Sequence, residues 1–196
     1  MPAQPQNVDS GTPCAVLDAM IWARGLIARN PTAAPAVLVK SWKDGRFRIA
    51  VSGELVEEIA GTLLELGADR EDVVSVIELL ATETQVVAIQ HQRMGCDDLE
   101  DDHLLETAVT GMADYLVSED RAVYDLPSHV REYLSRQGVL VRRAHEFCED
   151  LERFAAGATT PARRLALLGG TEPDLIAPTR RRSDPVSEPS ESKNLD

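Results

Sequence analysis

Five short apolar runs, separated by stretches of helical periodicity, restrict the fold more than any other feature of this chain. They are CAVLD (14–18), FRIAV (47–51), TQVVAI (84–89), DYLVS (114–118) and GVLVR (138–142). Each is close to continuously apolar rather than alternating, which is the pattern of a strand buried on both faces. Between them the periodicity predicts helices over 20–28, 35–43, 71–82, 101–112, 127–137 and 143–153. Pro35 and Pro127 open two of these as first-turn prolines. Ser52 is placed to cap a further helix through Leu66, which Gly67 stops. Its buried face is expected to carry Leu55, Ile59, Leu63 and Leu66, and that of 71–82 to carry Val73, Val74, Ile77 and Leu80. Strands alternating with helices indicate an α/β fold with a mainly parallel sheet covered on both faces. In such folds ligands gather beyond the carboxyl ends of the strands, where strand order reverses.

The charge is concentrated in this patterned region. Of 196 residues, 20 are basic and 33 acidic, for a net charge of −13. Residues 1–154 hold 14 basic and 27 acidic side chains, and residues 155–196 hold 6 of each. The last stretch also has five of the eleven prolines and no aromatic residue. We therefore expect a polar leader at 1–12, a working domain at 13–154 and a low-complexity, disordered tail at 155–196. Strong negative charge argues against a protein that coats nucleic acid by bulk electrostatics, but not against local contact through a bound cation. No apolar run approaches the ~20 residues of a membrane span. The start lacks the basic and apolar segments of a secretory signal, and the three cysteines form no CxxC pair. Both features lead us to expect a cytoplasmic location with reduced thiols.

Four groups of carboxylates then stand out. Asp18 closes the first strand, where the ordinary reading is a helix cap. Glu119 and Asp120 follow the fourth strand, again in a cap or turn position. Two strands ending in acids on the face where α/β sites form strengthen each other as site candidates. The stretch 96–105 is dense in acids (Asp97, Asp98, Glu100, Asp101, Asp102) and precedes an apolar helix with Leu104, Leu105, Ala108, Val109 and Met112. That helix must bring its N-terminus to the sheet. Helical angles put Asp101 in line with the buried face and Asp102 on its flank, and periodicity does not choose between them. In the helix after strand two, Glu58 sits on the edge of the buried face, while Glu54 and Glu57 point away. Carboxylates brought together repel unless they bind a cation or share protons. Oxygen ligands without cysteine or paired histidine suit Mg²⁺ or Mn²⁺.

Other residues have plainer expected roles. His91 and His103 flank the acidic stretch, and His103 is expected in solvent. Cys96 and Cys148 are expected to fill space. Trp22 and Trp42 are expected to be core or dimer contacts. Arg24, Arg29, Arg46, Arg48 and Arg121 are candidate phosphate contacts, and Arg180–Arg182 lie in the expected tail.

The motifs, taken in order, resemble the PIN-domain family of metal-dependent nucleases, most closely the PIN toxins of bacterial toxin–antitoxin systems. The resemblance runs over about 15–152. It is carried by V-L-D at 16–18, W-K-D-G-R-F at 42–47, V-S-x-E-L-x-E-E at 51–58 and D-D-x-L-L at 101–105. It continues through A-D-Y-L-V-S-E-D-R at 113–121 and V-L-V-R-x-x-x-E-F at 139–147. The resemblance implies a three-layer α/β/α sandwich. It places the family's four catalytic, metal-binding acids on Asp18, Glu58, Asp102 and Asp120, and so selects Asp102 over Asp98 and Asp101. Ser118 falls where the family has a hydroxyl that can orient water at the ion. Mg²⁺- or Mn²⁺-dependent hydrolysis of RNA is implied, with a homodimer and an antitoxin partner. Two positions depart from the family. Met20 stands where an Asn usually helps to hold the site, and Ala122 stands where a further Asp is common. A catalytically weakened RNA- or protein-binding module is therefore the competing expectation. A signalling receiver would need paired acids after strand one and a lysine beyond a late strand, and both are missing.

Overall fold

The computed structural model describes residues 11–95 and 102–157. The leader, save its last two residues, and the tail beyond 157 lie outside the described residues, as do Cys96 and the alternative acids Asp98 and Asp101. Five strands form one sheet: β1 (Cys14–Leu17), β2 (Arg48–Ser52), β3 (Gln85–Val87), β4 (Tyr115–Val117) and β5 (Leu140–Arg142). All neighbouring pairs are parallel, in the order β3-β2-β1-β4-β5. Among the described residues eight helices connect or follow them: α1 (Ala19–Leu26), α2 (Ala34–Lys43), α3 (Gly53–Glu65), α4 (Arg70–Glu83), α5 (Asp102–Thr110), α6 (Arg121–Tyr124), α7 (Ser128–Arg136) and α8 (Ala144–Ala155). The chain walks one way from β1 to β3, then crosses back and walks the other way through β4 to β5. With right-handed crossovers, the two walks place helices on opposite faces of the sheet. This is the expected α/β architecture.

Local chemistry explains the element ends. Ser52 Oγ accepts from Leu55 N at 3.2 Å and starts α3, and Gly67, at φ +85°, ends it in the left-handed region. Pro35 lies in the first turn of α2. Pro127 caps α7 from outside rather than opening it, and the four-residue α6 was not expected from periodicity. Helix α8 extends through Ala155, one residue past the expected domain limit.

Burial follows strand position. Every residue of β1, the central strand, is fully buried, as its apolar run requires. The expectation of two-faced burial fails at the edges. Val86 on β3 is exposed and β5 is only half-buried, because an edge strand lacks one neighbour. Val74, Leu66 and Met112 are likewise exposed. Leu66 caps the end of α3 and Met112 follows the end of α5, beyond the turns that face the core. The core joins distant segments through aromatic contacts. Phe147 of α8 lies 5.1 Å from Phe47 and 4.7 Å from Tyr115 between ring centroids. Trp22 and Trp42 meet edge to face at 5.1 Å, so both are core residues binding α1 to α2.

Candidate active site

Strand order reverses between β1 and β4, and their register sets what meets there. Leu17 pairs with Val117, and Asp18 N donates to Val117 O at 3.0 Å. The next residues along, Asp18 and Ser118, therefore sit side by side at the carboxyl edge, on the crevice where doubly wound sheets bind ligands. Ser118 Oγ donates to Asp18 Oδ2 and accepts from Asp120 N at 2.9 Å. One hydroxyl thus ties the first strand-end acid to the backbone of the second.

The plain reading of both strand-end acids is also present. Asp18 Oδ1 caps α1 by accepting from Met20 N at 2.8 Å, and Asp120 Oδ1 caps α6 by accepting from Ala122 N at 2.8 Å. The two positions that depart from the family pattern thus contribute backbone amides, which any non-proline residue supplies. The loop carrying Asp120 is tied down further. Ser118 N donates to Arg142 O at 3.0 Å, and Glu119 Oε1 accepts from Ala144 N at 3.0 Å.

Asp18 is only 8% exposed. Burial raises its pKa above the ordinary 3.8, the bonds from Ser118 and Met20 oppose this, and the nearby charges of Glu58 and Asp120 add to the rise. Asp18, Glu58 and Asp120 therefore share one electrostatic neighbourhood, although they are far apart in sequence. Glu58 of α3 is exposed, and its Oε2 lies 3.1 Å from His103 Nε2 on α5. His103 is half-buried against this acid, not free in solvent as expected. Asp102, at the start of α5, is 5% exposed, deeper than its helical angle predicts. Helix α5 packs on β1, β2, β4 and α3, which draws its first turn inward. Asp102 Oδ2 lies 2.9 Å from Arg93 Nε. His91, on the same loop as Arg93, pairs with Glu54 at 3.2 Å.

Sequence reasoning missed Arg93 and Glu106. Glu106 is buried and follows Asp102 by four residues, a helical spacing that could have found it. Arg93 carries no local signal, because its contact is made across a loop.

Among the described residues, no three His, Cys, Asp or Glu side chains are grouped so as to hold a metal ion as they stand. In kind, the donors still suit a hard divalent cation. They are carboxylate oxygens, one of them is destabilised by burial and by two like charges, and another already takes a cation in Arg93. Two of the expected phosphate contacts are held in ion pairs with acids outside the candidate set. Arg46 is held by Glu152 at 2.9 Å, and Arg121 by Asp125 at 2.8 Å. Neither thiol among the described residues, Cys14 or Cys148, is activated. Burial pushes Cys14 up to about 11 and raises Cys148, so both stay protonated near neutrality.

No helix of the described residues is long and apolar enough to cross a membrane. A family model described as PIN domain matches residues 14–122, more than half of the chain. The match spans β1 to the start of α6, including all four candidate acids, and stops short of the V-L-V-R-x-x-x-E-F segment. A comparison with curated proteins finds no match. On its parallel sheet, its strand-end acids and this match, the chain belongs to the PIN domain family, a nuclease-type fold.

Proposed function

We propose that this chain is a divalent-metal-dependent endoribonuclease and the toxin of a toxin–antitoxin pair. The observation that carries the nuclease reading is the Ser118 hydroxyl joining Asp18 to Asp120 at the strand switch, with Glu58 in the same field. Asp18, Glu58, Asp102 and Asp120 would hold Mg²⁺ or Mn²⁺. Bound there, the ion supplies activation of water and offsets phosphate charge. The chain's own contribution is placement. Met20 N and Ser118 Oγ fix both oxygens of Asp18, and Ala122 N fixes Asp120. Fixed acids need no reorganisation as charge develops on the substrate. The toxin assignment, the antitoxin that would cover the site, the homodimer and the cytoplasmic setting rest on the motif resemblance and on the reduced-cysteine pattern.

Asp18→Asn and Asp120→Asn should each lower Mn²⁺-dependent cleavage of single-stranded RNA at least on the order of a hundredfold, the scale of losing one electrostatic stabiliser. Circular dichroism should be unchanged. Equal cleavage by Asp18→Asn and the parent chain overturns the assignment.

A binding module that no longer cuts is the second reading. It is favoured by Met20 and Ala122 and by the lack of a grouped ligand set among the described residues. Calorimetric titration with Mn²⁺ separates the two, since a chain that ignores the ion cannot perform this chemistry.

A further inference from the structure

Two buried acids on one face of α5 act on the same loop. Glu106, 4% exposed, accepts from Gln90 N at 2.6 Å through Oε1 and from Gln92 N at 3.0 Å through Oε2. Both of its oxygens are spent on the backbone that leads from β3 to Arg93. One turn earlier on the helix, Asp102 receives the Arg93 guanidinium at 2.9 Å. Residues four apart on a helix lie one above the other, so the clamp and the ion pair are aligned along one face. Glu106 fixes where the loop runs, and the loop delivers a permanent positive charge to a buried carboxylate. Surface arginines rarely come with such support.

We propose that Arg93 is a built-in counter-cation of the candidate site. It neutralises Asp102 when no divalent ion is bound and competes with the ion for that carboxylate. Glu106 is the positioning residue that keeps it there. This inference rests on the site reading proposed above. A carboxylate oxygen held by one cation is a poorer ligand for the next, because the two cations repel each other. Arg93 would thus set a threshold of metal concentration below which the site stays closed on itself.

The test is Mn²⁺ titration calorimetry on the full chain, with no RNA present. Arg93→Gln should bind Mn²⁺ on the order of tenfold more tightly, the scale by which one adjacent opposite charge alters a carboxylate's affinity for a cation. Glu106→Gln should shift affinity the same way by less. The gain should vanish when Arg93→Gln is combined with Asp102→Asn. A merely structural role for Arg93 would weaken binding, not tighten it. Arg93→Lys keeps the charge and shortens the fork, so it should tighten binding less than Arg93→Gln, and it serves if the Gln variant does not fold. Unchanged or weaker affinity in the Arg93 variants, beside a parent that binds Mn²⁺, overturns the counter-cation and leaves the nuclease reading standing. If neither the parent nor Arg93→Gln binds Mn²⁺, both readings fall together.

Discussion

Asp18 shows how one residue carries opposing demands. It caps a helix, accepts a hydroxyl and sits buried beside two other acids. Its folded pKa lies above the unfolded value, so the native chain holds a proton over a window where the unfolded chain has released it. The stability Asp18 contributes is therefore full below its unfolded pKa of 3.8 and is lost as pH rises through the raised folded value. At neutral pH its ionised form is a standing liability that a cation would relieve. In chelator, Asp18→Asn should flatten the fall in stability across that window, and at pH 7 it should unfold at a temperature no lower than the parent. Added Mn²⁺ should reverse the ranking, because only the parent gains by binding. Thermal unfolding against pH, with and without Mn²⁺, checks both statements. A parent less sensitive to pH than the variant would contradict them.

At the scale of elements, packing overrides propensity. Gly25 lies inside α1, where helix propensity alone predicts that alanine would add about 1 kcal/mol. A Cβ there would stand 2.6 Å from Val39 Cγ2 and 2.7 Å from the Pro35 carbonyl oxygen, where α1 crosses the first turn of α2. The carbonyl belongs to backbone and cannot yield. Gly25→Ala should therefore cost about 1–3 kcal/mol, as overpacking does. Gly61, in α3, has open space where its Cβ would stand. Gly61→Ala should follow propensity and stabilise by up to about 1 kcal/mol. Urea unfolding of the two variants should thus give opposite signs. The helix positions themselves were legible in the sequence, because capping and periodicity are local. The close approach of α1 to α2 was not, since it depends on how two helices cross.

The family match ends at residue 122, but the packed unit of the whole molecule does not. Phe147 of α8 is fully buried against Phe47 and Tyr115, and β5 pairs with β4. Losing the burial of Phe147 alone costs about 3–5 kcal/mol. That is a large part of the 5–15 kcal/mol that holds a typical domain together. A fragment of residues 11–157 should unfold cooperatively with the midpoint of the full chain. A fragment ending at 122 should show no cooperative transition by circular dichroism. A stable fragment ending at 122 would mean that β5 and α8 are accessory.

Five apolar runs and the helices between them fixed the α/β class, the parallel sheet and nearly every element, because hydrophobic periodicity and end-capping act over a few residues. Strand-end position marked Asp18 and Asp120 for the same local reason. The sequence alone put His103 in solvent and passed over Arg93 and Glu106. Each of these depends on which side chain faces another across the crevice. Only the order β3-β2-β1-β4-β5 decides that, by setting β1 beside β4 and drawing α5 over their ends. Contacts between segments distant along the chain are created when the sheet assembles, and no local pattern records them.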